Sequence, residues 1–140
     1  MDYSDRIIEL SRYGWYCSQI IAKLVLEYFG IEDSNFVRSM GGLNGGIGFS
    51  GSVCGCLTAG VCTISYFTGK DSDGERESVE HKAAVAEFVE WFNEEMLVAF
   101  GGTECSDITG GNPAKRLQHC PGIIEKSVIK CIEILEAHNV

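Results

Sequence analysis

The sequence is short of positive charge: 11 Lys and Arg stand against 20 Asp and Glu, for a net charge of −9. A nucleic-acid partner needs clustered Lys and Arg to neutralise phosphate, so that class is excluded. Docking onto an anionic membrane is disfavoured for the same reason. Long hydrophobic runs are missing as well. No stretch of about 18 uncharged apolar residues exists to span a bilayer, which excludes direct membrane insertion. The opening residues, Met1-Asp2-Tyr3-Ser4-Asp5-Arg6, are polar and partly acidic, without the basic start and apolar run of a signal peptide. A soluble, cytoplasmic protein is expected. Proline is scarce, at two residues, whereas 17 glycines imply local tasks for glycine. Sustained apolar–polar alternation, the mark of strands, is absent, and so is any internal repeat.

What is present reads as helices separated by glycine-rich or polar breaks, in 140 residues whose 45% hydrophobic and 22% charged content suits one globular domain. The expected fold is all-α, a single-domain helical bundle of about five to six helices with a glycine-rich loop, over residues 1–140. Ser4 is placed to cap a short first helix that stalls near Gly14. A second helix runs from about Trp15 to Phe29, with Ile20, Ile21, Leu24 and Tyr28 on one face and Gly30 as its stop. Asp33 or Ser34 can cap a third, short helix. Residues 41–52, which hold six glycines, form the loop. Val53 to Phe67 follows as a buried helix closed by Gly69, and residues 70–77 as an exposed loop. A long amphipathic helix then carries the stripe Val85, Phe88, Val89, Phe92, Met96 and Phe100. Residues 103–119 are expected to be an irregular connection. Pro121 is expected in the first turn of a last helix, with Ile124, Val128, Cys131, Ile132 and Leu135 inward.

Seven cysteines are the loudest feature. In a reducing cytoplasm they point to free thiols, metal ligands or catalytic thiols rather than structural disulfides. Position along the chain sorts them. Cys62 and Cys131 lie in apolar helices and are expected to pack as small hydrophobes. Cys54 and Cys56, if both helical, would project about 200° apart, so only one should face a site. Cys54, where the glycine loop becomes helix, is the better placed: a helix N-terminus favours thiolate. Cys120 precedes Pro121 at a similar expected helix start, Cys17 lies in the first turn of its helix, and Cys105 sits outside any apolar stripe. Glu104 and Asp107 would raise the Cys105 pKa, which suits a ligand or resolving role.

Two glycine roles compete. Gly45, Gly46 and Gly48, with Gly55 after them, could bind a phosphate or a flavin, but no strand precedes the loop as a dinucleotide fingerprint requires. Close packing of backbone around the cysteines is the preferred account. His119 beside Cys120 reads as a solvated histidine rather than a ligand, and Tyr13, Trp15 and Tyr16 as packing aromatics.

At these residues the sequence resembles a family of small redox-active proteins named for its cysteine pattern, C-GCAxxG-C-C. The likeness spans nearly the whole chain. It rests on Gly14 to Gln19 (Gly-x-x-Cys-Ser-Gln), Cys54-Gly55-Cys56-Leu57-Thr58-Ala59-Gly60, Gly101 to Cys105 (Gly-Gly-Thr-x-Cys) and Cys120-Pro121. The resemblance maps the four family cysteines onto Cys17, Cys54, Cys105 and Cys120. The chain departs from the family's CGAxxG with Cys56 for Ala and Ala59 for Gly, which leaves Cys56 open as a further ligand.

The resemblance implies a helical domain with a redox role. Similar domains accompany c-type haems in split-Soret cytochromes, where an iron–sulfur cluster is part of the site. No Cys-x-x-Cys-His is present here, so covalent haem attachment is not expected.

Three functions compete. The first is an iron–sulfur cluster, of the 2Fe–2S type for example, held by the four thiolates for electron transfer. The second is metal-free thiol–disulfide chemistry, with Cys54 and Cys120 as catalytic candidates: Cys54 attacks and Cys17, Cys105 or Cys120 resolves. The third is a structural zinc interaction domain. The expected partner is another redox protein, with homodimerisation left open.

Overall fold

In the computed structural model, which describes residues 2–140, the chain is all-α, with seven α-helices and one 3₁₀ turn among the described residues. The helices are α1 (Ser4–Arg12), α2 (Cys17–Tyr28), α3 (Ser34–Ser39), α4 (Gly55–Thr68), α5 (Val79–Phe100), α6 (Cys105–Thr109) and α7 (Pro113–Ala137). The 3₁₀ turn, Met40–Leu43, follows α3. The expected fold class holds; the short α6 is the element not anticipated.

Helix α2 is the centre of the bundle because it is apolar on two faces. Ile20, Ile21, Leu24 and Val25 enter the main core with residues of α4, α5 and α7. Ala22 and Leu26 turn the other way, into a smaller cluster with Val37, Met40 and Ala59. Helix α5 buries Ala84, Phe88, Phe92 and Met96 along one stripe. Fully burying a Phe side chain contributes roughly 1.5–3 kcal/mol, so this stripe is a major anchor. Gly60 lets α4 approach it: a Cβ there would stand 2.3 Å from the Phe88 ring. Ser78 caps α5 by accepting from the His81 N–H at 3.0 Å, and Gly101 ends the helix at φ 75°. No helix among the described residues is long and apolar enough to cross a membrane.

Three local expectations need correction. Ser4 is the first helical residue of α1, and Tyr3 precedes it as a cap without a side-chain bond. Residues 103–119 are not irregular. Glu104 and Asp107 form a capping box, each side chain bonding the other's backbone N–H, and this starts α6 at Cys105. Helix α7 begins eight residues before Pro121, at Pro113, where Asn112 accepts from the Ala114 N–H at 2.8 Å. Asn-Pro supplies a cap and a preset φ for the first turn. Pro121 is therefore inside the helix, and Cys120 is not at a helix start.

Candidate functional site

Five of the seven cysteines, Cys17, Cys54, Cys56, Cys105 and Cys120, line one cavity of about 200 Å³. They arrive from four segments: the start of α2, the start of α4, α6 and α7. Trp15, Ile20, Ile108, Ile123 and Ile124 make most of the remaining wall apolar. Cys62 and Cys131 do not reach it. Cys131 is fully buried in the main core, and Cys62 packs against the smaller cluster.

Cys54 and Cys56 both face the cavity, contrary to the expectation that only one would. The angular argument requires both to be helical, and Cys54 is not. It is the cap residue of α4 at φ −55°, ψ 132°, and Cys56 is the second residue of the helix. The extended backbone at Cys54 brings the two side chains to the same side.

A short antiparallel bridge, Val53 to Glu104, joins the α4 entry to the α6 entry. The Cys105 N–H donates to the Ser52 carbonyl at 2.6 Å, the Ser106 N–H to Gly51 at 3.1 Å, and the Cys54 N–H to Thr103 at 3.4 Å. These bonds set Cys105 beside Cys54. On the other side, the Ser18 N–H donates to Asn44 Oδ1 at 3.2 Å, and Asn44 Nδ2 donates to Gln19 Oε1 at 3.0 Å. The polar residues after Cys17 thus tie the glycine loop to the first turn of α2.

The loop itself holds five consecutive residues, Gly45 to Phe49, at φ between 58° and 74°. That left-handed run is natural for glycine but costs Ile47 and Phe49 roughly 1–2 kcal/mol each. Its glycines serve close approach. A Cβ on Gly46 would lie 2.7 Å from the Cys105 Cβ, and one on Gly55 would lie 2.7 Å from the Cys17 Sγ. Gly45 lines the cavity, and its N–H is among the groups that lower the Cys17 pKa. Gly48 has no neighbour within 4 Å of where its Cβ would stand and does not line the cavity.

The thiols divide into two kinds. The Cys17 pKa is lowered to about 6, first by the Cys56 thiol, which hydrogen-bonds its thiolate, and then by the N–H groups of Gly45 and Ser18 and the Ser18 hydroxyl; burial opposes them. Cys54 is also lowered, first by the Cys56 thiol and then by the N–H groups of Cys56 and Leu57 at the helix start. Cys56 lies between them and is pushed well above the ordinary thiol range, because both bonds need its proton.

Cys105 is raised, chiefly by burial, with the Thr109 hydroxyl opposing. Negative charge on Glu104 and Asp107, expected to be the cause, is instead engaged in the capping box. Cys120 is pushed up to about 12 by burial and then by the negative charge of Cys17, Cys54 and Cys105. Its place within α7 removes the helix-terminus effect expected to lower it.

Sequence reasoning did not find Cys17 as the acidic thiol, nor the support given by Ser18, Gln19 and Asn44. It also passed over Arg116, which lines the cavity. His119 stays outside, edge-on to Phe100 at 5.0 Å. Trp15 and Tyr16 line the cavity, and Lys23 covers the Trp15 ring at 4.8 Å. Among the described residues no three His, Cys, Asp or Glu side chains close around a single point as a metal-ion clasp.

An all-α chain that gathers thiols from four segments around one apolar cavity belongs to the class of small cysteine-based redox proteins. The chain is a member of the family described as "Putative redox-active protein (C_GCAxxG_C_C)", whose pattern matches residues 15–134. No curated protein and no solved structure matches it.

Proposed function

We propose that this redox protein holds an iron–sulfur cluster in the cysteine cavity and passes electrons to and from a partner in the cytoplasm. The observation that carries the reading is the donor set: five thiols, and no His, Asp or Glu, around one cavity of about 200 Å³. An all-thiolate set selects soft metal centres. A closed zinc site wants ligands meeting at one point, whereas thiolates spread around a cavity suit a cluster, whose ligands bind different irons.

Cys17, Cys54, Cys105 and Cys120 are the ligands in this reading, and Cys56 supplies hydrogen bonds to Cys17 and Cys54. A bound cluster would supply a one-electron couple. The protein's own contribution is orientation and charge. Cys17, with its pKa lowered to about 6, is ready as a thiolate, and Cys54 is lowered in the same direction by the Cys56 thiol and the N–H groups of Cys56 and Leu57. Cys105 and Cys120 give up protons on loading, so loading weakens as pH falls.

The test is anaerobic purification followed by visible absorption and iron and sulfide assays. About two irons and two sulfides per chain, with absorption in the visible, is the expected result for a cluster of the 2Fe–2S type.

A colourless, iron-free protein would overturn it and favour the second reading, thiol–disulfide exchange. One arrangement supports that reading: Cys17 and Cys56 line the same cavity, and the Cys17 pKa is lowered to about 6, first by the Cys56 thiol. The Cys17 thiolate would attack a partner disulfide and release one partner thiolate. Cys56, losing its proton to that leaving group, would then attack the mixed disulfide. The products are a Cys17–Cys56 disulfide and a partner dithiol, with two electrons transferred.

A further inference from the structure

Electron exchange with a buried site is fastest where its cover is thinnest. For the cysteine cavity that place is its mouth, among the lining residues that reach the surface: Ser11, Gly14, Tyr16 and Leu117 are exposed and Arg116 is half-buried. Next to them stands Phe49. Tyr16 meets the Phe49 ring edge-on at 5.1 Å, and the Arg116 guanidinium lies over the same ring at 5.4 Å. These apolar side chains are exposed: Tyr16 44%, Phe49 52% and Leu117 78%.

Two features say the mouth is built rather than incidental. Phe49 holds an exposed ring on a backbone at φ 60°, where Asn or Gly would be the easier residue. Gly45 makes the seat for that ring, since a Cβ on Gly45 would stand 2.3 Å from Phe49 Cδ1. The ring in turn supports Arg116.

The charge of the mouth runs against that of the molecule. The chain carries 20 Asp and Glu and a net charge of −9. Yet none of those carboxylates lines the cavity, and Arg116 is the one Lys, Arg, His, Asp or Glu that does, among the described residues. No carboxylate pairs with it there either. With no carboxylate to neutralise it, its charge acts on the thiols of the cavity, opposing the rise at Cys105 and Cys120, and on a visitor alike.

We propose that this mouth is the port for electron exchange and that Arg116 selects a small anionic electron carrier. The proposal rests on the redox reading above and adds the class of partner. Size decides between a small anion and an acidic protein. At physiological ionic strength charges are screened over about 8 Å, so a small anion beside Arg116 is shielded from carboxylates farther off. A large acidic protein would bring its carboxylates against the rest of this acidic surface.

The experiment uses the reduced full-length protein, mixed in stopped flow with ferricyanide, an anion, or hexaammineruthenium(III), a cation. One electron leaves the site for each complex reduced. If the site is metal-free thiols, two complexes are reduced per Cys17–Cys56 disulfide formed, and the proton of Cys56 passes to solvent, Cys17 already being a thiolate. Arg116→Gln is expected to slow ferricyanide roughly tenfold, the lower end of electrostatic steering, and to leave the cation's rate unchanged or faster. Arg116→Lys should keep most of the ferricyanide rate. Equal slowing of both complexes, or no change with either, would overturn the port. Iron content on the same samples is a separate readout. Its absence would remove the cluster reading, while the ratio of the two rates still decides the port.

Discussion

At the scale of single residues, the central relation is between Cys17 and Cys56. A buried thiol ordinarily resists ionisation, because a charged sulfur loses its hydration. Cys17 is nevertheless lowered from 9.0 to about 6, which requires donors that outweigh burial. The largest is the Cys56 thiol, and the proton that makes this bond is the one Cys56 then cannot lose. In reduced, metal-free protein, the rate of Cys17 alkylation should therefore rise with pH through a midpoint near 6. Below that pH the proton returns and labelling falls. Cys56→Ala should move the midpoint upward, towards the ordinary thiol range, because the main donor is gone while burial remains. Peptide mass spectrometry over a pH series reads this directly. A midpoint unmoved in Cys56→Ala would assign the acidity to the N–H groups of Gly45 and Ser18 instead.

At the scale of elements, the site depends on close approaches that only small residues permit. Gly55 opens α4 directly against Cys17 and Ser18. A Cβ there would be 2.4 Å from the Ser18 Oγ, 2.7 Å from the Cys17 Sγ and 3.1 Å from the Leu43 carbonyl. Gly55→Ala is expected to lower stability by about 1–3 kcal/mol, the usual range for overpacking. It should also raise the Cys17 midpoint by displacing the thiol from Cys56. Thermal melting together with the labelling series checks both. A variant with unchanged melting and an unchanged midpoint would contradict the packing described at this junction.

Elements with strong periodicity were legible in the sequence. The α5 stripe through Phe88, Phe92 and Met96, and the inward face of α7 through Ile124, Val128, Cys131, Ile132 and Leu135, lie where spacing put them. Of the two expected caps, Asp33 and Ser34, it is Asp33 that caps α3. The start of α7 is ambiguous in the sequence because the chain offers two prolines with a claim to the first turn. Pro121 suits a first turn by its preset φ alone, whereas Asn112-Pro113 carries the stronger signal, a side-chain cap followed by a preset φ. The capping box of α6 uses Glu and Asp in place of the commoner Ser or Thr with Glu, so it passed unseen.

The same difference of scale explains the site. That thiols from distant segments act together could be suspected from their positions near element starts. That Cys54 and Cys56 share one cavity could not, because the answer turns on one residue's ψ. Arg116 carried no sequence signal. Its role depends on Phe49 lying beneath it, a contact between residues far apart in the chain.

At the scale of the whole molecule, the fold separates two thiols that pack with apolar clusters from five that share one cavity. Cys131 is sealed in the main core and Cys62 lies against the smaller cluster, whereas the other five meet where α2, α4, α6 and α7 converge. Cysteine in a core is a small hydrophobe whose loss costs stability alone. In the cavity its loss should cost the redox centre.

That division is tested most directly by replacing each of the seven cysteines in turn with Ser and measuring iron per folded chain after anaerobic purification. Cys17→Ser, Cys54→Ser, Cys105→Ser and Cys120→Ser should lose most of the iron and the visible absorption. Cys62→Ser and Cys131→Ser should keep both, whatever they do to melting temperature. Iron retained in all four of the first set, or lost from folded Cys62→Ser or Cys131→Ser, would contradict a single cysteine centre at this cavity.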